Sequence, residues 1–310
     1  MPVCVHCDVE LQPDAQFCFR CGRRADAAFE WDATTGERLA AALGPDYSVI
    51  GELGRGGFAV VYSVRDRRRN RYLAVKVMRP SLLTAPGLKE RFRREAELVS
   101  RLDHPNILPM LFTGKAAGLV YYAMPRVQGH SLREQLDRRG SLPVKEALRI
   151  FGELAHGLAY AHRNGVVHRD VKPGNIMLDR RGRVTILDFG VAKAIAVRGG
   201  TISITGEVVG TAEYMSPEQA QGITEVDHRC DVYSLGILGW EMLAGEVPFL
   251  GDTVHDTLAM HVKQPIPDVR GKRPDTPPAF ASALRRCMAK EPDGRWPDAV
   301  AAARAAGATT

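Results

Sequence analysis

The sequence predicts an α+β protein in which a small β-rich region precedes a larger α-helical region, with a short cysteine-rich segment in front of both. Three observations support this prediction. Apolar residues alternate along three segments between residues 47 and 78, as they do in strands. Beyond Leu132 apolar residues recur at helical spacing, for example in "VKEALRIFGELAHGLAYAH". Four of the six cysteines lie between Cys4 and Cys21.

The composition narrows the classes of protein. Of 310 residues, 45% are hydrophobic and 25% are charged, which is typical of a soluble globular chain. The net charge of +6 comes partly from short arginine clusters such as residues 67–69, which are more typical of a solvated surface than of a nucleic-acid site. The longest apolar runs fall well short of the ~20 residues that span a bilayer, and the N-terminus lacks a signal peptide. We therefore expect a cytoplasmic protein without a membrane segment in this chain, in a reducing environment that disfavours disulfides.

The four N-terminal cysteines form two CxxC pairs with ten residues between them. Each pair can present two thiolates from a tight turn, and two such turns complete a tetrahedral Zn²⁺ site. The segment resembles the zinc ribbons that begin some bacterial regulatory proteins. We therefore predict that residues 1–24 form a zinc ribbon, with the ligands Cys4, Cys7, Cys18 and Cys21.

Alternatives to a structural zinc site remain open at this point. The thiols could form a redox dithiol switch or stay free in a disordered segment. A closed site of four thiolates leaves no position for chemistry, which favours a role in binding a protein partner. Nucleic-acid binding through Arg20, Arg23 and Arg24 ranks lower, because no strip of aromatic and basic residues accompanies them.

The segment between the cysteines and the first strand is rich in alanine and mixed in charge. We interpret residues 25–46 as a linker, within which Glu37–Leu43 has a weak helical pattern. The three predicted strands follow, and they read "YSVIGEL", "AVVYSVRD" and "YLAVKVM". A helix is predicted over "LKERFRREAELVSRL".

A glycine-rich loop and a strand lysine point to phosphate binding. In "LGRGGFAVVY" (53–62), Gly54 and Gly56 have no Cβ and can adopt a positive φ, so the backbone could approach a polyphosphate closely. A glycine-rich hairpin turn would look the same. In "LAVKV" (73–77), Lys76 stands among apolar neighbours and needs an anionic partner, which Glu95 on the next helix can supply.

Two further motifs, "HRDVKPGN" (168–175) and "DFG" (188–190), specify the chemistry. Asp170 could accept a proton from a hydroxyl group, and Asn175 and Asp188 offer the oxygen ligands that Mg²⁺ prefers. Each residue alone could be structural, but this combination in this order is not expected by chance. With these motifs, the chain resembles a bacterial serine/threonine protein kinase of the eukaryotic-like type over about residues 47–304.

The resemblance implies a two-lobed fold that binds ATP between an N-lobe of about residues 47–127 and a C-lobe of about residues 128–304, with a tail at 305–310. It assigns Asp170 as the catalytic base and Lys172 as the partner of the γ-phosphate. It also implies that Lys76, paired with Glu95, holds the α- and β-phosphates, and that Mg²⁺ binds Asn175 and Asp188. The residues that would contact the nucleotide are Leu53, Gly54, Gly56, Val61, Ala74, Lys76, Met124, Val127, Met177 and Asp188.

The segment "GTAEYMSPE" (210–218) resembles the part of the family that docks protein substrates. The resemblance implies a buried ion pair between Glu218 and Arg295. Lys172 and Thr211 match the family's marks for serine and threonine acceptors. A small-molecule kinase would lack this segment, so protein substrates are expected.

The resemblance also suggests self-activation. A phosphate on the segment before residue 211 would add about two negative charges that Arg169 could pair with. Thr205 is the first candidate, Ser203 the second and Thr201 the third. The alternative is that these hydroxyl groups only make the loop soluble.

Two residues depart from the family pattern. Ala59 replaces the third glycine of the loop, and Pro125 stands in the hinge where the family often has Glu. Neither change removes a catalytic group, which argues against a scaffold that binds ATP or partners without transferring phosphate. A homodimer is compatible with the sequence.

Overall fold

The computed structural model describes residues 35–56, 59–78, 94, 96–189 and 212–308. The described residues form two compact units. The first unit holds the described residues up to Ser100 and the stretch Pro109–Arg126, and the second holds Arg101–Leu108 and the residues from Val127 onward. The predicted zinc ribbon at 1–24 lies outside the described residues.

The first unit contains a five-stranded antiparallel sheet with the strand order β1-β2-β3-β5-β4. Its first three strands confirm the three predicted from alternating apolar residues. The strands are β1 (Tyr47–Arg55), β2 (Ala59–Asp66), β3 (Arg71–Met78), β4 (Phe112–Ala116) and β5 (Leu119–Pro125).

The two faces of this sheet have different roles, because successive side chains in a strand point to opposite faces. One face forms a buried apolar core. Its strand residues are Val60, Tyr62, Val64, Leu73, Val75, Val77, Leu119, Tyr121 and Ala123. The residues between them in sequence, among them Val61, Ala74 and Lys76, therefore lie on the other face.

A helix, α1 (Thr35–Leu43), packs against the apolar face of the sheet. Leu39 is fully buried in the same core, and Ala42 and Leu43 pack at its edge. These three residues are spaced three and four apart, so they share one side of the helix. The helical pattern noted at Glu37–Leu43 is thus confirmed, but the interpretation of this stretch as a linker is corrected.

The second unit is mainly helical. A small antiparallel sheet in it joins β6 (Gly129–Ser131), β7 (Ile176–Asp179) and β8 (Val184–Ile186). Its helices are α2 (Leu132–Arg139), α3 (Val144–Arg163), α4 (Pro217–Ala220), α5 (Arg229–Ala244), α6 (Val254–Lys263), α7 (Pro278–Cys287) and α8 (Ala299–Ala306).

Helix α5 is the centre of the second unit, and nearly all of its residues are buried, as its apolar sequence predicts. Glycines allow its neighbours to approach closely. A Cβ on Gly239 would lie 2.4 Å from Cδ2 of Leu284, and one on Gly236 would lie 2.6 Å from Cβ of Cys287. Both neighbours belong to α7, so any larger residue at these glycines would push α5 and α7 apart. Cys230 and Cys287 are fully buried core thiols.

The ion pair between Glu218 and Arg295 is present and buried. Both guanidinium nitrogens of Arg295 donate to the two carboxylate oxygens of Glu218 at 2.7 Å. The guanidinium also donates to the backbone carbonyls of Ala289, Arg229 and Lys290 at 2.8–3.0 Å. The arginine therefore joins the start of α4 to the segments before α5 and after α7.

The C-terminal boundary differs from the prediction. Helix α8 continues to Ala306, and Ala302, Ala303 and Ala306 are buried. Small side chains of this kind permit close helix packing, and Ala308 still lies near Gly152 of α3. The tail predicted at 305–310 therefore belongs, through residue 308, to the packed unit.

Replacing Arg295 by Met should lower the free energy of unfolding of the second unit by about 3–5 kcal/mol, because Glu218 would keep a buried charge without its cation. Urea denaturation followed by circular dichroism measures the change. The control is Arg304→Met on exposed α8 surface, for which we expect a change within about 0.5 kcal/mol. A loss below about 1 kcal/mol for Arg295→Met would contradict the importance of the pair.

Candidate active site

The loop that carries Asp170 is organised around His168, which is fully buried. Its Nδ1 accepts a hydrogen bond from the backbone N–H of Asp170 at 3.1 Å, and its Nε2 donates to the carbonyl of Leu187 at 2.8 Å. The imidazole also packs on Phe189, with ring centroids 4.8 Å apart. Because the two nitrogens have opposite roles, the proton lies on Nε2. His168 thus connects the loop of Asp170 to the segment that carries Asp188.

A buried carboxylate on α5 holds the same loop by its backbone. Oδ2 of Asp231 accepts from the N–H of His168, and Oδ1 accepts from the N–H of Arg169, both at 2.7 Å. His162 at the end of α3 adds a hydrogen bond from Nε2 at 2.8 Å. Burial alone would raise the pKa of Asp231, but the hydrogen bond and positive potential of His162, with the N–H of His168, bring the pKa below its ordinary value.

Asp170, Lys172 and Asn175 lie together, as predicted. The amide nitrogen of Asn175 donates to the carbonyl of Asp170 at 2.8 Å and to its Oδ2 at 3.0 Å. The ammonium of Lys172 lies 3.0 Å from the same Oδ2. A short 3₁₀ turn, Pro173–Asn175, places the asparagine back over the aspartate. A carboxylate with two such donors keeps a fixed orientation.

The side chain of Asn175 fits the predicted Mg²⁺ site. Its nitrogen is used by Asp170, which orients the amide so that its oxygen faces away from Asp170. The next strand brings Asp188 to this region, because the N–H of Leu187 donates to the carbonyl of Asn175 at 2.8 Å. An amide oxygen and a carboxylate are hard ligands of the kind that Mg²⁺ takes.

Two residues of this loop region have left-handed backbone conformations. Arg169 has φ +62° and Asp188 has φ +50°. Non-glycine residues rarely adopt positive φ, and such conformations persist only where the surroundings hold them. For Arg169 the holding contacts are its N–H to Asp231 and its carbonyl, which accepts from Nε2 of Gln219 at 3.1 Å.

In the first unit, the residues predicted to bind the nucleotide share the face of the sheet opposite the apolar core. Val61, Lys76 and Tyr122 are paired across β2, β3 and β5. The neighbouring row pairs Ala74 with Met124. The ammonium of Lys76 lies 6.0 Å from the ring centroid of Tyr122. The structure therefore brings these predicted residues together on one surface.

Gly54 and Gly56 do not use the positive φ that glycine permits, so the feature that matters at both positions is the missing Cβ. A Cβ on Gly54 would meet nothing within 4 Å, and one on Gly56 would meet only the carbonyl of Ala59 at 3.9 Å. Protein packing does not require glycine here, and the open space above β1 fits a ligand that approaches the backbone. The expectation that this loop faces a polyphosphate stays a prediction.

Three more residues that are predicted to contact the nucleotide lie elsewhere in the structure. Leu53 lies at an irregularity of β1 and is 45% exposed. Val127 is the first residue of the second unit after β5. Met177, which is half-buried, pairs with Ser131 in the small sheet.

Several predicted site residues lie outside the described residues: Glu95, Thr201, Ser203, Thr205, Thr211, Cys4, Cys7, Cys18 and Cys21.

Within the described part of the chain, no group of three or more His, Cys, Asp or Glu side chains is arranged to hold a metal ion. In that same part, no helix is long and apolar enough to cross a membrane.

The region that was expected to dock protein substrates contains a buried polar network. The hydroxyl of Tyr214 donates to Glu241 on α5 at 2.6 Å, and Arg133 on α2 donates to the hydroxyl of Tyr214 at 2.9 Å and to Glu241. Burial and the neighbouring Glu241 raise the pKa of Tyr214, so its hydroxyl stays protonated. The network fixes the turn Ala212–Tyr214 to the centre of the unit.

Sequence reasoning missed Asp231, His162 and Gln219. A signal for Asp231 was present, because a charged residue stands at the start of the buried run "DVYSLGILGW", and a buried charge requires partners. His162 and Gln219 gave no comparable signal, since their partners come from other elements.

Comparison with known proteins agrees with these observations. The sequence matches the family described as "Protein kinase domain" over residues 47–303. The chain belongs to this protein kinase family. The kinase is 41% identical over 253 residues to "Serine/threonine-protein kinase PknB" of Mycolicibacterium smegmatis, covering 80% of this chain and 40% of that protein. It is 39% identical over 260 residues to "Probable serine/threonine-protein kinase pknA2" of Bifidobacterium longum, covering 83% of this chain and 34% of that protein.

A solved structure supports the two-lobed kinase fold, with a β-sheet N-lobe and a helical C-lobe. The crystal structure of the Mycobacterium tuberculosis PknI kinase domain is similar to this kinase with a TM-score of 0.69 at 29% identity. The similarity covers 87% of this chain and 98% of that one. The kinase spans less than half the length of the curated relatives described above.

Replacing Asp231 by Asn should reduce kcat by about 100-fold, because the amide nitrogen would face a backbone N–H and the loop of Asp170 would shift. Affinity for a non-hydrolysable ATP analogue should fall much less, since the sheet of the first unit is untouched. Steady-state kinetics and calorimetry measure the two quantities. Asp252→Asn on the exposed surface is the control. A kcat within about threefold of the wild type would refute the role of Asp231.

Proposed function

We propose that this protein is an ATP-dependent serine/threonine protein kinase that transfers the γ-phosphoryl group of ATP to hydroxyl groups of proteins. The observation that supports this most directly is the arrangement of Asp170, Lys172 and Asn175. A carboxylate with a fixed orientation stands beside an ammonium group and accepts a hydrogen bond from the amide nitrogen of Asn175. The relatives are named as serine/threonine-protein kinases. The resemblance to the family implies that Lys172 marks the same class of acceptor.

The second unit would supply the groups that act at the transferred phosphoryl group. Asp170 would orient the acceptor hydroxyl and take up its proton. Lys172 would offset the charge that develops on the γ-phosphoryl oxygens. Asn175 and Asp188 would hold Mg²⁺, which when bound neutralises charge on the phosphates. No group in this set needs to move far, because the hydrogen bonds to His168 and Asp231 already hold the loop.

The first unit would supply most of the nucleotide contacts. Lys76 would hold the α- and β-phosphates, with Glu95 as its partner. The open backbone at Gly54 and Gly56 would face the phosphates. The other contacts assigned by the resemblance are Leu53, Val61, Ala74, Met124, Val127 and Met177.

The test is the substitution Asp170→Asn, which keeps the size of the side chain but removes the proton acceptor. Transfer of phosphate from Mg-ATP to a generic protein substrate should fall by about 10²–10⁴-fold, while the affinity for an ATP analogue should stay close to that of the wild type. Radiolabel transfer and calorimetry measure these effects, with Asp252→Asn as the control. If the wild type binds the analogue but transfers no phosphate, the protein is a scaffold and the proposed activity is wrong.

We further propose self-activation through the segment before residue 211. A phosphate on Thr205 or Ser203, with Thr201 as the third candidate, would give Arg169 an anionic partner. The double substitution Thr205→Ala with Ser203→Ala should lower activity substantially and leave ATP binding intact. Mass spectrometry after incubation with Mg-ATP is the measurement. No phosphate between residues 198 and 211, in a preparation that phosphorylates other proteins, would contradict the proposal.

The third part of the proposal concerns the cysteines. Residues 1–24 would form a zinc ribbon that binds a protein partner in a reducing, cytoplasmic setting, and zinc would supply the folding free energy of so short a segment. The protein should then contain one zinc per chain, and Cys18→Ser should lose it with little change in kinase activity. Elemental analysis of protein purified without added metal is the measurement. Absence of both zinc and iron would rule out the ribbon.

A further inference from the structure

Helix α1 precedes the residues that match the kinase family, and yet it is part of the sheet's core. Leu39 is fully buried there. Arg38 donates from Nη2 and Nε to the carbonyl of Ala117 at 2.7 and 3.2 Å, which ties the helix to the turn between β4 and β5. At Gly36 an added Cβ would lie in ordinary contact with the sheet, 3.5 Å from the ring of Tyr62. The helix therefore contacts the apolar face of the sheet and also the turn between β4 and β5.

The residues that share the buried core with Leu39 alternate along β2 and β3 with the residues that are proposed to face the nucleotide. Tyr62, in the core, lies between Val61 and Ser63, and Val75 lies between Ala74 and Lys76. The core residues Tyr62 and Val75 lie on one face of the sheet, and their neighbours in sequence lie on the opposite face. Because packed interiors leave few voids, a loss of volume at Leu39 must be absorbed by the strands. Any such movement of β2 or β3 carries Val61 or Lys76 with it.

We propose that α1 is a positioning element of the ATP site, with Leu39 and Arg38 as its positioning residues. The helix fixes the strands so that Lys76 and Val61 meet the nucleotide in one geometry, although no residue of α1 lies on the face that binds it. The inference rests on the proposed role of Lys76 in binding phosphate. The proposal gives α1 an effect on nucleotide affinity, whereas the loop of Asp170 in the second unit would affect phosphate transfer.

The link to β5 strengthens this inference. The carbonyl that Arg38 holds belongs to Ala117, which has φ +52° in the tight turn that leads into β5. Strand β5 carries Tyr122 and Met124 on the nucleotide face. The helix also contacts β1, the strand that follows it. It therefore touches β1 and β5 directly and shares a buried core with β2 and β3, the strands that carry Val61, Ala74 and Lys76.

The experiment uses the full chain and two substitutions with opposite expected effects. Leu39→Ala removes the buried side chain and should raise the KM for ATP and the Kd of a non-hydrolysable ATP analogue about fivefold, with kcat changed less than about twofold. Gly36→Ala adds a methyl group in ordinary contact with Tyr62 and favours the helix, so it should lower both constants. Glu37→Ala truncates an exposed side chain of the same helix and is the matched control.

All measurements are made well below the melting temperature of every variant, so that affinity is not confused with the folded fraction. If Leu39→Ala lowers the melting temperature but leaves KM and the analogue Kd unchanged, α1 is only structural and the proposal is overturned. If Leu39→Ala does not fold, Arg38→Lys replaces it, since it keeps the charge but loses the two-nitrogen contact with Ala117. A weaker analogue affinity in Arg38→Lys supports the proposal, and an unchanged one overturns it. Failure of the proposed function would appear differently, as analogue binding without phosphate transfer in the wild type.

Discussion

The second unit of this protein depends on one buried carboxylate. Asp231 stands in the most enclosed helix of the unit, where a charge is costly unless donors surround it. Besides His162, the donors are the backbone N–H groups of His168 and Arg169, so satisfying the charge also fixes the loop. Side-chain contacts alone would leave that loop with more freedom, because rotamers change more easily than the backbone. The position of Asp170 thus follows from the position of α5.

The electrostatics of this anchor make it robust toward acid. Burial opposes the charge of Asp231, yet His162 and the loop N–H groups outweigh it and lower the pKa. A carboxylate with a lowered folded pKa stabilises the fold above its ordinary pKa, and this contribution is lost only as the pH falls through the lowered value. The loop anchor therefore remains charged at pH values where exposed carboxylates have begun to take up protons. Glycines at α5 add rigidity by letting α7 pack directly on the helix.

Much of the fold was predictable from the sequence, because local patterns and motif spacing carry it. Alternating apolar residues identified β1 to β3, and the loop residues Asp170, Lys172 and Asn175 lie together as the resemblance to the kinase family implied. The interpretation of residues 25–46 as a linker needed correction for a physical reason. The role of α1 depends on a tertiary contact, the burial of Leu39 against strands that follow it, which no local pattern reveals.

The backbone of Asp188 has a consequence for how such kinases can change over generations. Its φ of +50° suits few side chains other than aspartate and asparagine, whose short polar groups tolerate this conformation. Asparagine would therefore keep the fold and an oxygen atom while it loses the negative charge. The codons of these two amino acids differ by a single base. If Asp188 holds Mg²⁺ as proposed above, a single base change would give a well-folded chain without this negative charge. Such a chain could bind a nucleotide or a partner without transferring phosphate.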